Sequence, residues 1–353
     1  MILPHLFNRK AFFTEARPYW GPNHDRVGGP YQRTRNMIRS FEHYEIKKCN
    51  LVYAGSFWSQ EEFDFANRVA KKRKLPVVFN QNGMFFPAWY SGDWKQENHK
   101  LIEMQKASDF VIYQSEFCKE SFIELTGYEH PNSRVLHNST PIQWDEVGTK
   151  QCGFSKIILW LSGLFSEKSE HILKPVTEAV KIVREERGLD VRLKLAGRIS
   201  DKCKKSEWFK ILQGDIETLK KEKVWIELGT YDHKELSEYL KDVTVALHLQ
   251  DKDACPNAVL ERMACGLPHI FIKSGGTPEL VGDCGIGLDV EKSWEAYYGV
   301  SPEQLADTIE KLPEMDTRHI GIRAKERVMN QFSWDKYQNQ HRDLFKELLK
   351  DKL

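Results

Sequence analysis

Short apolar runs alternate with amphipathic segments along almost the whole chain, and this alternation is the feature that most constrains its fold. "NLVYAG", "LPVVFN" and "DFVIYQS" read as buried strands, separated by segments such as "SQEEFDFANRVAKKRK" with helical periodicity. Ser59, with Glu62 three residues on, is a helix start of the capping-box kind. Strand and helix in strict alternation predict parallel sheets covered by helices on both faces. The pattern breaks once, at "TPIQWDEVGTKQCG", which is polar, turn-rich and without period. It then restarts with "SKIILWLSG", "VRLKLAG", "VWIELG", "VTVALHL" and "PHIFIKS" as strands. The expected fold class is therefore α/β, with two doubly wound Rossmann-like domains facing an interdomain cleft. Residues 1–145 form the first domain and 153–330 the second. A last helix over 331–353 is expected to pack back on the first domain.

A chain of 353 residues suits two domains better than one. With 41% hydrophobic and 29% charged residues it is globular material, and a net charge of +1 gives no bulk argument for nucleic-acid binding. The seven cysteines show no C-x-x-C spacing, so free thiols in a reducing compartment are expected, without a zinc site. "MILPHLFNRK" has no signal-peptide core, and no run approaches a membrane span. A cytoplasmic protein is expected, with any membrane contact peripheral.

The densest patterning lies between Asp251 and Gly282: "DKDACPNAVLERMACGLPHIFIKSGGTPELVG". Asp253 falls on the loop beyond "VTVALHL", and Pro256 or Asn257 starts the next helix. Glu261 sits in that helix's second turn, about 5 Å along its axis. Two carboxylates so placed suit the vicinal diols of a ribose or hexose, since each accepts two hydroxyls. A surface acid and a helix-capping acid would look the same. After "PHIFIK", Ser274, Gly275 and Gly276 make a turn whose backbone a ligand can approach. Thr277 is the expected N-cap, with Pro278 at N1, and the helix start behind favours a phosphate. A Gly-Gly turn is by itself often only a turn. Hydroxyl-binding acids beside a phosphate-binding turn together describe a nucleoside diphosphate sugar.

Here the stretch resembles the retaining glycosyltransferases of the two-Rossmann, B-type architecture (family 4, glycosyl transferases group 1). Their signature is an acid, seven residues, a Glu, then "E-A-M-A-x-G-x-P" and "G-G-x-x-E". It stands here as Asp253, Glu261, "ERMACGLP" and "GGTPE". "LWLSGLFSEKSEHILKPVTEAV", "LKLAGR" and "VWIELGTY" are similar to the family's other second-domain segments. The first half matches more thinly, through "VGGPYQRTRN" and "VLHNSTP".

The resemblance implies sugar transfer from a UDP- or GDP-linked donor to a glycan or lipid-linked acceptor, in polysaccharide or glycoconjugate biosynthesis. It implies no cofactor and no metal. Glu261 would bind the ribose and Asp253 the donor sugar, and Lys168 would pair with the diphosphate. Gly275, Gly276 and Thr277 would offer backbone donors to phosphate or sugar, beside Asn257. Gly229, Thr230 and Tyr231 would lie near the base, and Gly29 would approach the diphosphate. Two positions depart from the pattern. Leu164 replaces an Arg, leaving Arg198 as a substitute, and Asn82 stands where His is common. A nucleotide-sugar epimerase and a catalytically silent nucleotide-sugar binder share the architecture. An epimerase needs a base in the first domain, and Asn82, which cannot take up a proton, argues mildly against that reading.

Other features read more plainly. "DKD" mimics a D-x-D metal motif and is taken as coincidence. "KKRK" ends a helix, where cations suit the dipole; contact with anionic lipid is the alternative. "MFFPAWYSGDW" is either a loop packing its own rings or a platform for acceptor sugars. His24, Asp25 and Arg26 precede the glycine turn; contact with an acceptor is one reading, which their spacing does not require. His137, His248 and His269 are expected as satisfied core residues.

Overall fold

The computed structural model describes residues 15–21, 29–140, 156–231 and 233–350. The chain divides into two compact units. The first comprises residues 1–86, 90–141 and 332–353, and the second 87–89 and 142–331. The polar break at 141–155 and the residues His24, Asp25 and Arg26 lie outside the described residues.

The first unit is built on β1 (Pro18–Tyr19), β2 (Leu51–Gly55), β3 (Val77–Gln81), β4 (Phe110–Tyr113) and β5 (Ser133–Val135). These five strands are parallel and lie side by side in chain order. Between them run α1 (Gly29–Phe41), α2 (Gln60–Arg73), α3 (Trp94–Lys106) and α4 (Glu116–Thr126). The capping box at Ser59 and Glu62 forms in full, and α4 ends on Gly127 in the left-handed conformation.

The second unit holds β6 (Ile157–Phe165), α5 (Glu170–Glu185), β7 (Val191–Ile199), α6 (Asp201–Lys205), α7 (Glu207–Lys221), β8 (Trp225–Gly229) and α8 (His233–Leu240). It continues with β9 (Val245–His248), α9 (Asn257–Ala264), β10 (His269–Ile272), α10 (Thr277–Val281), β11 (Gly285–Leu288), α11 (Pro302–Glu310) and α12 (Thr317–Gln331). Its six parallel strands are ordered β11-β10-β9-β6-β7-β8. The first strand of the unit, β6, is therefore central, and the order reverses between β6 and β9. In a doubly wound sheet this reversal opens a crevice at the strands' carboxyl ends, where ligands bind.

Both faces of this sheet are covered, which is why its strands read as continuous apolar runs. Leu159, Leu161, Leu193 and Leu195 pack with Leu173, Val176 and Val180 of α5. Ile158, Trp160 and Ala246 face the other way, onto Leu236 and Leu240 of α8. Each such fully buried side chain contributes about 1.5–3 kcal/mol of transfer free energy.

The last helix, α13 (Trp334–Lys350), belongs to the first unit. Its Tyr337, Leu344 and Phe345 are buried with Trp20, Met37, Leu51, Tyr53 and Val78. The six described cysteines are all buried and unbridged; Cys152 is outside the described residues. No described helix is long and apolar enough to cross a membrane.

Candidate functional site

The loops after β6, β9 and β10, around the β6–β9 reversal, carry Lys168, Asp253 and the Gly275–Thr277 turn. Lys168 lies three residues past the end of β6, just before α5. Its Nζ donates to the carbonyls of Ala88 at 3.0 Å and Trp89 at 2.6 Å. Two of its three N–H groups are thus already engaged by the 87–89 segment, a contact with no signal in the sequence. Beside it lies a cavity of about 550 Å³, lined among others by His171, Lys174, Tyr297 and Tyr298. His171 stacks on Tyr297 at 4.6 Å and 14°, and burial lowers its pKa to about 4. It is therefore neutral near pH 7; its Nδ1 lies 3.0 Å from the Lys168 carbonyl, and its Nε2 is buried without a partner.

Leu164 is 71% exposed, so it does no core work in place of an Arg. Its register partner on β7 is Arg198, which is also exposed. Paired residues on adjacent strands point to the same face about 5 Å apart, so Arg198 stands beside the missing cation's position. The two strands approach closely here: a Cβ on Gly197 would lie 2.0 Å from the Gly163 carbonyl oxygen.

The loop after β9 and the turn after β10 are knitted together. Gly276 N–H donates to the Asp253 carbonyl at 2.8 Å. Gly275 has φ +69°, and a Cβ there would fall 2.4 Å from the same oxygen. The glycine turn therefore supports the Asp253 backbone, and the Gly276 N–H is spent inside the protein instead of being offered to phosphate. Gly276 is also the helix cap, moving Thr277 to N1 and Pro278 to N2. Thr277, expected as N-cap, buries its hydroxyl without a partner. Asp253 is half-buried in area, but its carboxyl is enclosed and burial raises its pKa to about 6. Its Oδ1 accepts from Cys255 N–H at 3.3 Å.

Asp251, the other acid of "DKD", is buried and committed internally. One oxygen pairs with Lys252 and the other accepts from the Ser274 hydroxyl. Lys252 in turn lies 5.0 Å from the Tyr297 ring centroid and 6.0 Å from that of Trp294. Among the described residues no group of three or more His, Cys, Asp or Glu is arranged to hold a metal ion.

Helix α9 follows, capped by Pro256 without a side-chain bond. Asn257 opens it, with its Oδ1 buried and unpartnered, and half-buried Glu261 lies one turn on. At the edge strand, Gly229 takes φ +71° to turn out of β8. Thr230 is exposed, and Tyr231 meets Trp160 edge-on at 5.8 Å. The second unit thus brings Asp253, Gly275 and Gly276 into contact and sets Arg198 beside Leu164. Gly229–Tyr231 stand at the sheet's edge, two strands from the reversal.

In the first unit, Gly29 begins α1. Asn82, just past β3, accepts from Gln114, which also donates to Asn80 at 3.0 Å. Asn80 donates to the Tyr53 hydroxyl at 2.8 Å, and that hydroxyl lies 3.2 Å from His341 Nε2. This buried chain of amides left no trace in the sequence pattern. The aromatic loop packs its own rings, with Phe85 and Tyr90 edge-on at 5.0 Å, while Trp89 stays exposed. "KKRK" caps a loop as well as a helix: Arg73 donates to the carbonyls of Ile46 and Cys49.

The expectation of satisfied core histidines needs correction. His248 and His269 are buried, but each leaves Nε2 without a partner. Both rings feel the charge of Arg262, which is 2% exposed and carried no signal in the sequence.

Two parallel sheets with covering helices, the second in Rossmann order, define the B-type glycosyltransferase fold. Crystallised Anabaena HepE, in complex with UDP and glucose, is similar over 94% of this chain and 100% of its own, with TM-score 0.70 at 14% identity. Sucrose-phosphate synthase from Thermosynechococcus elongatus is similar over 91% of this chain and 78% of its own, with TM-score 0.62 at 14% identity. Residues 155–327 match the model of the family of glycosyl transferases group 1. N-acetyl-alpha-D-glucosaminyl L-malate synthase of Bacillus anthracis is 30% identical over 208 residues. That match spans 57% of this chain and about half, 49%, of the relative.

Proposed function

We propose that the protein is a retaining glycosyltransferase that moves a sugar from a UDP- or GDP-linked donor to a glycan or lipid-linked acceptor, without a metal. The observation that carries this reading is the union of Asp253 with the Gly275–Gly276 turn beside the β6–β9 reversal. It holds a carboxylate at the carboxyl ends of the strands, where a doubly wound sheet binds its ligand. The UDP and UDP-glucose complexes of Anabaena HepE, which shares the fold, support the donor class.

In this account Glu261 accepts from the ribose hydroxyls and Asp253 from hydroxyls of the donor sugar. Lys168 and Arg198 face the diphosphate, and Lys168 stabilises the charge that develops on the leaving phosphate. To do so it turns its ammonium from the Ala88 and Trp89 carbonyls, or uses its third N–H. Thr230 and Tyr231 lie by the base. Asn82 offers an amide that hydrogen-bonds but cannot take up a proton, so the leaving phosphate assists deprotonation of the acceptor.

The test is nucleotide release from UDP- and GDP-sugars in the presence of glycan acceptors. Lys168→Ala is expected to slow release by roughly 100-fold or more, with EDTA leaving the wild-type rate unchanged. A near-normal rate for the variant removes Lys168 from the diphosphate site, and loss of activity in EDTA restored by a divalent cation overturns the metal-free reading.

A further inference from the structure

Arg262 is a buried cation without an anion. One guanidinium N–H donates to the Ala258 carbonyl one turn back on α9, and another to the Ser162 hydroxyl on β6. Nε is buried and has no partner, and no described carboxylate forms an ion pair with this side chain. The neighbouring titratable groups do not compensate. Burial, with the Arg262 charge next, lowers His248 to a pKa of about 3 and His269 well below the usual value, so both are neutral. A guanidinium stays charged in any protein environment. Burying one without a counter-charge costs several kcal/mol, and such a residue persists where something else supplies the anion.

Its position says what that anion is. By bonding to Ala258, the side chain turns toward the N-terminus of α9, the end that follows the β9 loop. β6 pairs with β9 through Leu161 and Leu247, so Ser162 and His248 are the next residues along, at the reversal itself. Ser162 and Leu164 point to the same face of β6, one pleat apart. The guanidinium therefore lies one pleat below the exposed Leu164, where the family resemblance expects an Arg. The signature quoted for that resemblance has alanine at the position of Arg262.

Resting on the proposed function, we infer that Arg262 forms the floor of the diphosphate site and supplies from α9 the positive charge that β6 lacks at Leu164. It is a positioning residue that acts through the field in the crevice and through Ser162. An unliganded protein then carries this charge at a cost that donor binding relieves.

The experiment is calorimetric titration of UDP, GDP, uridine and guanosine into wild type, Arg262→Met and Arg262→Gln, with melting curves of each unliganded protein. Met removes the charge and fills the volume; Gln keeps a donor for Ser162. Both are expected to weaken the diphosphate at least tenfold, leave the nucleoside unchanged and melt no lower than wild type. Unchanged diphosphate affinity overturns the inference. So does an equal loss for diphosphate and nucleoside together with a lower melting temperature, the result of a structural role. Binding of neither diphosphate by wild type instead overturns the donor reading itself.

Discussion

At the scale of the residue, Asp253 makes a test that runs against habit. Burial favours its neutral carboxyl and raises its pKa to about 6. The stability linked to it is complete below its unfolded pKa of about 4 and is lost as pH rises through about 6. Asp253→Asn is therefore expected to melt above wild type at pH 8, with the gap closing toward pH 4, and to weaken donor binding at every pH. Melting curves across that range check it; a gap independent of pH removes the assignment. Asp253, Glu261 and Lys168 were singled out by residue type and by position after a strand or at the start of a helix, a signal that acids and cations with purely structural duties also give. What the sequence concealed was partnership. Nothing in it says that Lys168 bonds to Ala88 and Trp89, that Gly276 serves Asp253, or that Arg262 is buried, because those contacts join residues distant along the chain.

At the scale of the element, two glycines are expected to respond oppositely to alanine. Gly275 holds φ +69° with the Asp253 carbonyl oxygen 2.4 Å from its would-be Cβ. Gly275→Ala should cost about 1–3 kcal/mol in strain and weaken donor binding by displacing Asp253. Gly214, inside α7, has nothing within 4 Å of its would-be Cβ. Gly214→Ala should stabilise by about 0.5–1 kcal/mol and leave binding unchanged. Denaturant titration of both variants checks the pair, and equal effects would contradict it. Most strands and helices, though not β1, β11, α11 and α12, were legible from periodicity, since a buried parallel strand and an amphipathic helix leave different patterns. Their ends were read less well. Thr277 had the right chemistry for a cap, but the bond from Gly276 to Asp253 fixes the turn one residue earlier.

At the scale of the whole molecule, the chain ends by completing the unit in which it begins. Phe345 of α13 is fully buried among Trp20, Phe41, Tyr53 and His341, with ring centroids 5.4 to 6.3 Å away. Phe345→Ala should cost about 3–5 kcal/mol. Hydrogen exchange should locate the loss in β2 and β3, with β6 and β7 still protected; loss of protection in both units would contradict the division. The two-sheet plan was legible from the restart of the alternation after residue 153. The order β11-β10-β9-β6-β7-β8 was not, because strand order depends on which connections cross the sheet, and periodicity carries no record of that.

The central claim is that the second unit holds a nucleoside diphosphate by its ribose and its phosphates. Titration of UDP and GDP into wild type and Glu261→Ala tests it most directly. The account predicts saturable binding of one or both nucleotides by wild type and a loss of at least tenfold, about 1.4 kcal/mol, in the variant. Binding of neither nucleotide by wild type, or equal affinity in the two proteins, would contradict it.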